Sequence, residues 1–142
     1  MSESLHKFLE ALSDAFLAGR LSNVADSFAY PMPFYCDDGL LVFGAPATLS
    51  EGLAQYLDAT RAAGITDIVP RILAHGVPSR GYSTVWIEWD HLDKNGKCLR
   101  TSQVRYVLYQ HDSNLFPKIE MVDYTITAFP EVQDQLPLMA TA

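Results

Sequence analysis

The chain is poor in cysteine, has no long apolar run and carries no excess of basic charge, and each shortage removes a class of function. Cys36 and Cys98 are its two cysteines. They show no Cys-x-x-Cys spacing, so neither a disulfide framework nor a thiolate metal cluster is expected, and two reduced thiols fit a cytoplasmic protein. No stretch approaches the roughly 18 apolar residues of a membrane span. Met1–Leu5 has no basic segment leading into an apolar one, so a signal peptide is not expected. Lys and Arg number 10 against 17 Asp and Glu, a net charge of −7. Binding phosphates calls for a basic face, so neither nucleic acid nor an anionic membrane is an expected partner. Phosphate loops, the Gly-x-Ser-x-Gly elbow and Walker spacing are all missing. His75 and His91 have no second ligand at metal spacing, so no metal and no cofactor is expected.

What is present is enough apolar residue for a core. Of 142 residues, 49% are apolar and 19% charged, which suits one domain over 1–142 folding without staples. Leu5, Phe8, Leu9, Leu12 and Phe16 recur at helical spacing, with Ser2 or Ser4 as cap and Gly19 as stop. Leu21, Val24, Ala25 and Phe28 predict a short second helix, capped near Ser22 or Asn23 and ended by Pro31. Pro33–Cys36 and Leu40–Phe43 flank the turn residues Asp37-Asp38-Gly39, a small hairpin. Thr48-Leu49-Ser50-Glu51 has the pattern of a capping box and opens a third helix carrying Leu53, Tyr56, Leu57, Thr60 and Ala63 on one face, with Gly64 as its end.

Beyond Ile65 the period changes to strands. Ile68–Val77 carries Pro70, which places it at an edge or a bulge. Tyr82–Leu92 and Cys98–Gln110 are joined by the Asn95-Gly96 turn, and Lys118–Thr127 follows the Asp112-Ser113-Asn114 loop. The tail, Ala128–Ala142, has no periodicity; it is either loose or laid on a partner subunit. The expected fold is α+β: a curved mixed or antiparallel sheet wrapped around three helices, with an apolar pocket between them.

Alternation assigns the sheet faces. Val85, Ile87, Trp89 and His91 share one face, as do Ser102, Val104, Tyr106 and Leu108, and then Ile119, Met121 and Asp123. The opposite faces carry Glu88, Arg105 and Glu120, a ladder of alternating sign, beside Trp86, Val107, Tyr109 and Tyr124. Aromatic residues on an outer face point to a homodimer through that face. Phe16, Tyr30, Phe34, Trp89, Val104 and Met121 are expected to line the pocket.

The element order resembles that of the nuclear transport factor 2-like superfamily, which includes ketosteroid isomerases and SnoaL-like polyketide cyclases and has a cystatin-like cone. Phe16-Leu17-Ala18-Gly19-Arg20-Leu21, Phe28-Ala29-Tyr30-Pro31, Trp89-Asp90, Asn95-Gly96 and Pro117-Lys118-Ile119-Glu120 carry the resemblance over about residues 4–127. It implies the fold. The tyrosine and the aspartate base of the isomerases align near Leu12 and Cys36, with Asp37 beside the latter, so isomerase activity on steroids is not implied. The cyclases rely on an acid of the inner wall, a role for which Asp123 is the candidate here.

A carboxylate in an apolar pocket has a raised pKa and transfers protons. Asp123 is therefore the expected general acid or base, with Tyr106 or His91 polarising a substrate oxygen. The expected function is binding of a hydrophobic small molecule, with cofactor-free isomerase, cyclase or lyase chemistry on a carbonyl compound. The alternative is a non-catalytic binding module or dimeric scaffold, for which Asp123 would lie at the surface.

Overall fold

The computed structural model describes residues 2–36, 39–111 and 116–133. Helix α1 (Ser2–Leu17) is followed by α2 (Leu21–Ala25), the hairpin of β1 (Met32–Cys36) and β2 (Gly39–Phe43), and helix α3 (Pro46–Ala62). Four more strands follow, β3 (Ile65–His75), β4 (Tyr82–Asp93), β5 (Cys98–Tyr109) and β6 (Lys118–Ile126), and then one turn of helix, α4 (Pro130–Gln133). The strands form one sheet in the order β2-β1-β6-β5-β4-β3. Every neighbouring pair is antiparallel except β1 with β6, so the sheet is mixed. The three N-terminal helices lie on its inner face, and their stripe residues Leu5, Phe8, Leu9 and Leu12 join Val85, Ile87, Val104 and Leu108 in one buried cluster. The α+β cone expected from the sequence is the fold observed.

Several element ends differ from expectation. Helix α3 starts at Pro46, after Ala45 and without a side-chain cap. Proline suits the first helical position, where its missing N–H costs nothing, so the helix begins before the Thr48–Glu51 box. Helix α2 follows Arg20, again with no side-chain cap. Strand β3 begins at Ile65 and stops at His75, leaving Val77 91% exposed. Pro70 does sit on an edge strand, where its missing donor breaks no ladder bond. The Asp37-Asp38 turn tip, the loop at 112–115 and the tail beyond 133 lie outside the described residues.

The largest departure is in β6. Val107 pairs with Met121 but Leu108 pairs with Ile119, so Glu120 is an extra residue. A bulge of this kind reverses the alternation beyond it. Ile119 and Val122 are both buried, while Met121 and Asp123 turn to the outer face. Had β6 been regular, Asp123 would stand in the cavity without a cationic partner, at the cost of burying a lone charge. The bulge instead sets it opposite Arg105, with Tyr124 opposite Val104 on the inside. The expectation that Val85, Tyr106, Met121 and Asp123 share a face is thus corrected: Val85 and Tyr106 face the helices, and Met121 and Asp123 do not.

Candidate functional site

Between the helices and the inner face of the sheet lies a cavity of about 140 Å³. Helix α1 contributes Leu12, Ser13 and Phe16, helix α3 contributes Leu49, Leu53, Tyr56 and Thr60, and the sheet contributes Phe34, Ile68, Trp89, His91, Ser102, Tyr106, Val122 and Tyr124. Thr127, Ala128 and Phe129, just past the end of β6, close the wall. Among the described residues the lining holds no carboxylate, lysine or arginine.

Its polar atoms form two groups. The first is on β4, β5 and β6. The indole N–H of Trp89 donates to the Tyr106 hydroxyl at 3.2 Å, and the Tyr106 and Tyr124 hydroxyls also interact by hydrogen bonding. Trp89 and Tyr106 are diagonal neighbours in register, with Ile87 and Val104 between them. Ile87 and Val104 are both buried, and Val104 is not among the residues that line the cavity. Burial pushes the Tyr106 phenol up to about 12, the hydrogen bonds from Trp89 and Tyr124 acting the other way. Burial, followed by the nearby Tyr106 and Tyr56, also raises Tyr124 well above the usual phenol value. Both phenols are neutral donors at physiological pH.

The second group is at the wide end. The His91 ring is buried, with Nδ1 3.2 Å from the Trp89 carbonyl oxygen, so Nδ1 carries the proton in the neutral ring. Desolvation lowers its pKa. Hydrogen bonds to the Trp89 and Arg100 backbones and the Asp90 charge oppose that shift, and the charge of Arg100 adds to it. Ser102 lies across the ladder from Trp89. Phe129 packs edge-on to His91, with centroids 6.0 Å apart, and to Tyr56 at 6.5 Å. The guanidinium of Arg100 covers the Phe129 ring at 4.4 Å and its Nη1 donates to the Ala128 carbonyl at 2.9 Å. A cation on an aromatic face and a charge-assisted hydrogen bond hold the segment down.

Of the residues expected in the site, Phe16, Phe34, Trp89, His91 and Tyr106 line the cavity. Tyr30 does not: its hydroxyl donates to the Ala25 carbonyl at 2.6 Å, and burial, with Asp26 nearby, pushes it to about 12. Met121 is on the outer face because of the bulge. Asp123 is there too, paired with Arg105 at 3.2 Å, and does not reach the cavity. The sequence reading placed Ser102 on the inner wall without giving it a role in the site, and missed Tyr124, Tyr56 and Phe129. Tyr124 had been assigned to the outer face; the Ile119-x-x-Val122-x-Tyr124 spacing was the available sign of a bulge. Phe129, an aromatic side chain within the otherwise unpatterned tail, was the sign of a docked segment.

The outer face carries polar pairs at one end. Arg71 bonds Glu88 and, at 2.7 Å, Asp90. Gln103 donates to Glu88 at 2.6 Å, and Thr101 to Asp90 at 3.3 Å. The expected Glu88–Arg105–Glu120 ladder is therefore replaced: Glu88 stands opposite Arg71 and Gln103, and Arg105 stands between Trp86 and Asp123. Trp86, Val107 and Met121 form an apolar patch beside Arg105, with Trp86 40% exposed. No three His, Cys, Asp or Glu residues gather as a metal site among the described residues, and no described helix is long and apolar enough to cross a membrane.

No protein-family model matches the sequence, and no curated protein matches it. Solved structures do match in shape. A domain of unknown function with a cystatin-like fold from Nostoc punctiforme aligns with TM-score 0.66 and 17% identity over 95% of this chain and 82% of that one. An NTF-2 like protein of unknown function from Shewanella oneidensis gives 0.62 and 14%, over 87% and 97%. The beta subunit of a benzoate 1,2-dioxygenase from Burkholderia mallei gives 0.57 and 15%, over 95% and 93%. At these identities the likeness concerns the fold alone: the chain has the nuclear transport factor 2-like cone, with its inner cavity walled by Trp89, Tyr106 and Tyr124.

Proposed function

We propose that this protein binds a small, uncharged, largely apolar molecule in the cone cavity, as a binding module rather than as an enzyme that moves protons through Asp123. The observation that carries the reading is the lining: aromatic and aliphatic walls, neutral hydroxyls and a neutral imidazole, and no charged side chain among the described residues. An ion placed there has no counter-charge to offset its lost hydration. A neutral molecule loses little and gains the apolar contact, roughly 25 cal/mol per Å² buried. Size narrows the class. An apolar cavity of roughly 150 Å³ accepts benzene, so a volume of about 140 Å³ suits a single ring and not a steroid. The Tyr106 hydroxyl supplies a donor for one carbonyl or hydroxyl oxygen. Asp123, held by Arg105 on the far side of the sheet, supports the non-catalytic alternative.

Cyclohexanone and cyclohexanecarboxylate make the test. Their rings are matched and only one is charged. Calorimetric titration is expected to show binding of the ketone and none of the carboxylate, and Tyr106→Phe is expected to weaken the ketone by about three- to tenfold, one neutral hydrogen bond. Tight binding of the carboxylate, or of neither compound nor any similar neutral ring, overturns the reading. The second part of the proposal is a homodimer through the outer face, supported by the exposed Trp86 beside Val107 and Met121. A cytoplasmic location belongs to the proposal as well, supported by a sequence with only two cysteines and no Cys-x-x-Cys.

A further inference from the structure

Ser102 is 4% exposed and lines the cavity. Among the described residues no group hydrogen-bonds its hydroxyl, in contrast to the other buried hydroxyls of the lining. Ser13 donates to the Glu10 carbonyl at 3.2 Å and Thr60 to the Tyr56 carbonyl at 2.7 Å, both bonds internal to their helices. Ser102, on the inner face of β5, makes no comparable bond to a strand carbonyl among the described residues, whereas Thr125 donates to the Gln103 carbonyl at 3.5 Å. The great majority of buried polar groups are satisfied, and a hydroxyl aimed into a cavity takes its partner, a water or a ligand that displaces it, from within the cavity.

Its surroundings define the chemistry of that partner. Ser102 faces Trp89 across the ladder, and β6 ends at Ile126 beside Gln103, so the neighbouring wall is the Thr127–Phe129 segment. His91 lies on the same inner face, two residues along β4 from Trp89. We infer that Ser102 is a ligand-binding residue, which fixes the hydroxyl group of a neutral, single-ring alcohol or phenol at the Phe129 end of the cavity. A serine hydroxyl both donates and accepts, so it matches a ligand hydroxyl in either sense. The ring fills the apolar body of the cavity between Phe16, Phe34 and Leu53. This rests on the proposed reading of the cavity as a ligand site and adds to the Tyr106 donor a second polar anchor, at the Phe129 end.

Phenol and toluene differ by a hydroxyl against a methyl, with the same ring, and serve as probes by calorimetry on the wild-type chain and on Ser102→Ala. The wild type is expected to bind phenol more tightly than toluene. Ser102→Ala is expected to weaken phenol by about three- to tenfold, leave toluene unchanged or tighter, and melt at or above the wild-type temperature, because the variant loses an unsatisfied buried hydroxyl. If Ser102→Ala leaves phenol unchanged while both probes still bind, the inference about Ser102 falls and the cavity reading stands. A lowered melting temperature shows that the hydroxyl has a partner within the protein, and also sinks the inference. If neither probe binds the wild type, the cavity reading itself fails.

Discussion

Asp123 and His91 are both ionisable, both on the sheet, and opposite in circumstance. Asp123 is an outer-face carboxylate, with its side chain 33% exposed and Arg105 at 3.2 Å. Partly exposed pairs of this kind contribute about 0.2–1 kcal/mol. Asp123→Asn is therefore expected to lower stability by no more than about 1 kcal/mol in urea unfolding and to leave phenol and cyclohexanone affinity as they were. A marked loss of ligand affinity would return Asp123 to the site. His91 is buried against Phe129, and desolvation lowers its pKa from 6.5. The unfolded chain takes up the proton near 6.5 and the folded ring resists it, so the unfolded state binds more protons below that value. The contribution to stability is complete above 6.5 and is lost as pH falls through the folded pKa. Asp90 and Arg100 are the charged groups acting on the ring. Unfolding free energies at pH 7.5 and pH 5 are expected to converge in His91→Gln relative to the wild type; an equal slope in both chains would remove His91 as the cause.

At the scale of elements, two features decide the site: the bulge in β6 and the segment that follows it. Helices α1 and α3, the β4–β5 hairpin and the inner faces of both its strands were legible in the sequence, because their apolar periods are long and unbroken. Val85, Ile87, Trp89 and His91 needed only a count by twos. The same count fails in Lys118–Ile126, where Glu120 adds a residue that no local propensity marks, and it carried Met121 and Asp123 into a cavity they do not reach. The register is settled by tertiary terms, the pairing of Asp123 with Arg105 and the burial of Val122 and Tyr124, which a nine-residue window does not contain. Deletion variants test this. Removing Glu120 abolishes the first of the two register shifts in β6, the second lying at Thr125, while keeping Ile119, Val122 and Tyr124 inward, whereas removing Asp123 turns Tyr124 outward. Thermal and urea unfolding are expected to show the Asp123 deletion destabilised by at least about 3 kcal/mol, as for loss of a large core side chain, and the Glu120 deletion by clearly less. Equal losses would mean that the extra residue is placed elsewhere. The terminal segment is held by one aromatic side chain. Phe129 is 2% exposed, and Phe129→Ala is expected to cost about 3–5 kcal/mol and to enlarge the cavity enough to admit two-ring ligands such as naphthol. Exclusion of naphthol from that variant would show that Phe129 does not close the space.

At the scale of the whole molecule the proposed reading gives the two faces of the sheet separate tasks: the inner one holds the ligand and the outer one joins two copies. Trp86, Val107 and Met121 lie together there, flanked by Arg105–Asp123 and by the Arg71, Glu88, Asp90 and Gln103 pairs. These charges already satisfy one another, so on the proposed reading the apolar patch drives the contact between copies, and a stable interface buries about 1,200–2,000 Å² in total. Charge opposes it: each copy carries −7. Between about 0.01 and about 0.1 M salt the Debye length falls from about 30 to about 10 Å, so the repulsion between copies is screened while the apolar term is kept. Sedimentation equilibrium is thus expected to show a dimer whose dissociation constant tightens as salt rises over that range. Trp86→Glu, which adds charge at the centre of the patch without touching the cavity, is expected to give a monomer that binds phenol as the wild type does. A wild-type chain that stays monomeric at every salt concentration, or a Trp86→Glu variant that still dimerises, would place the contact on another surface.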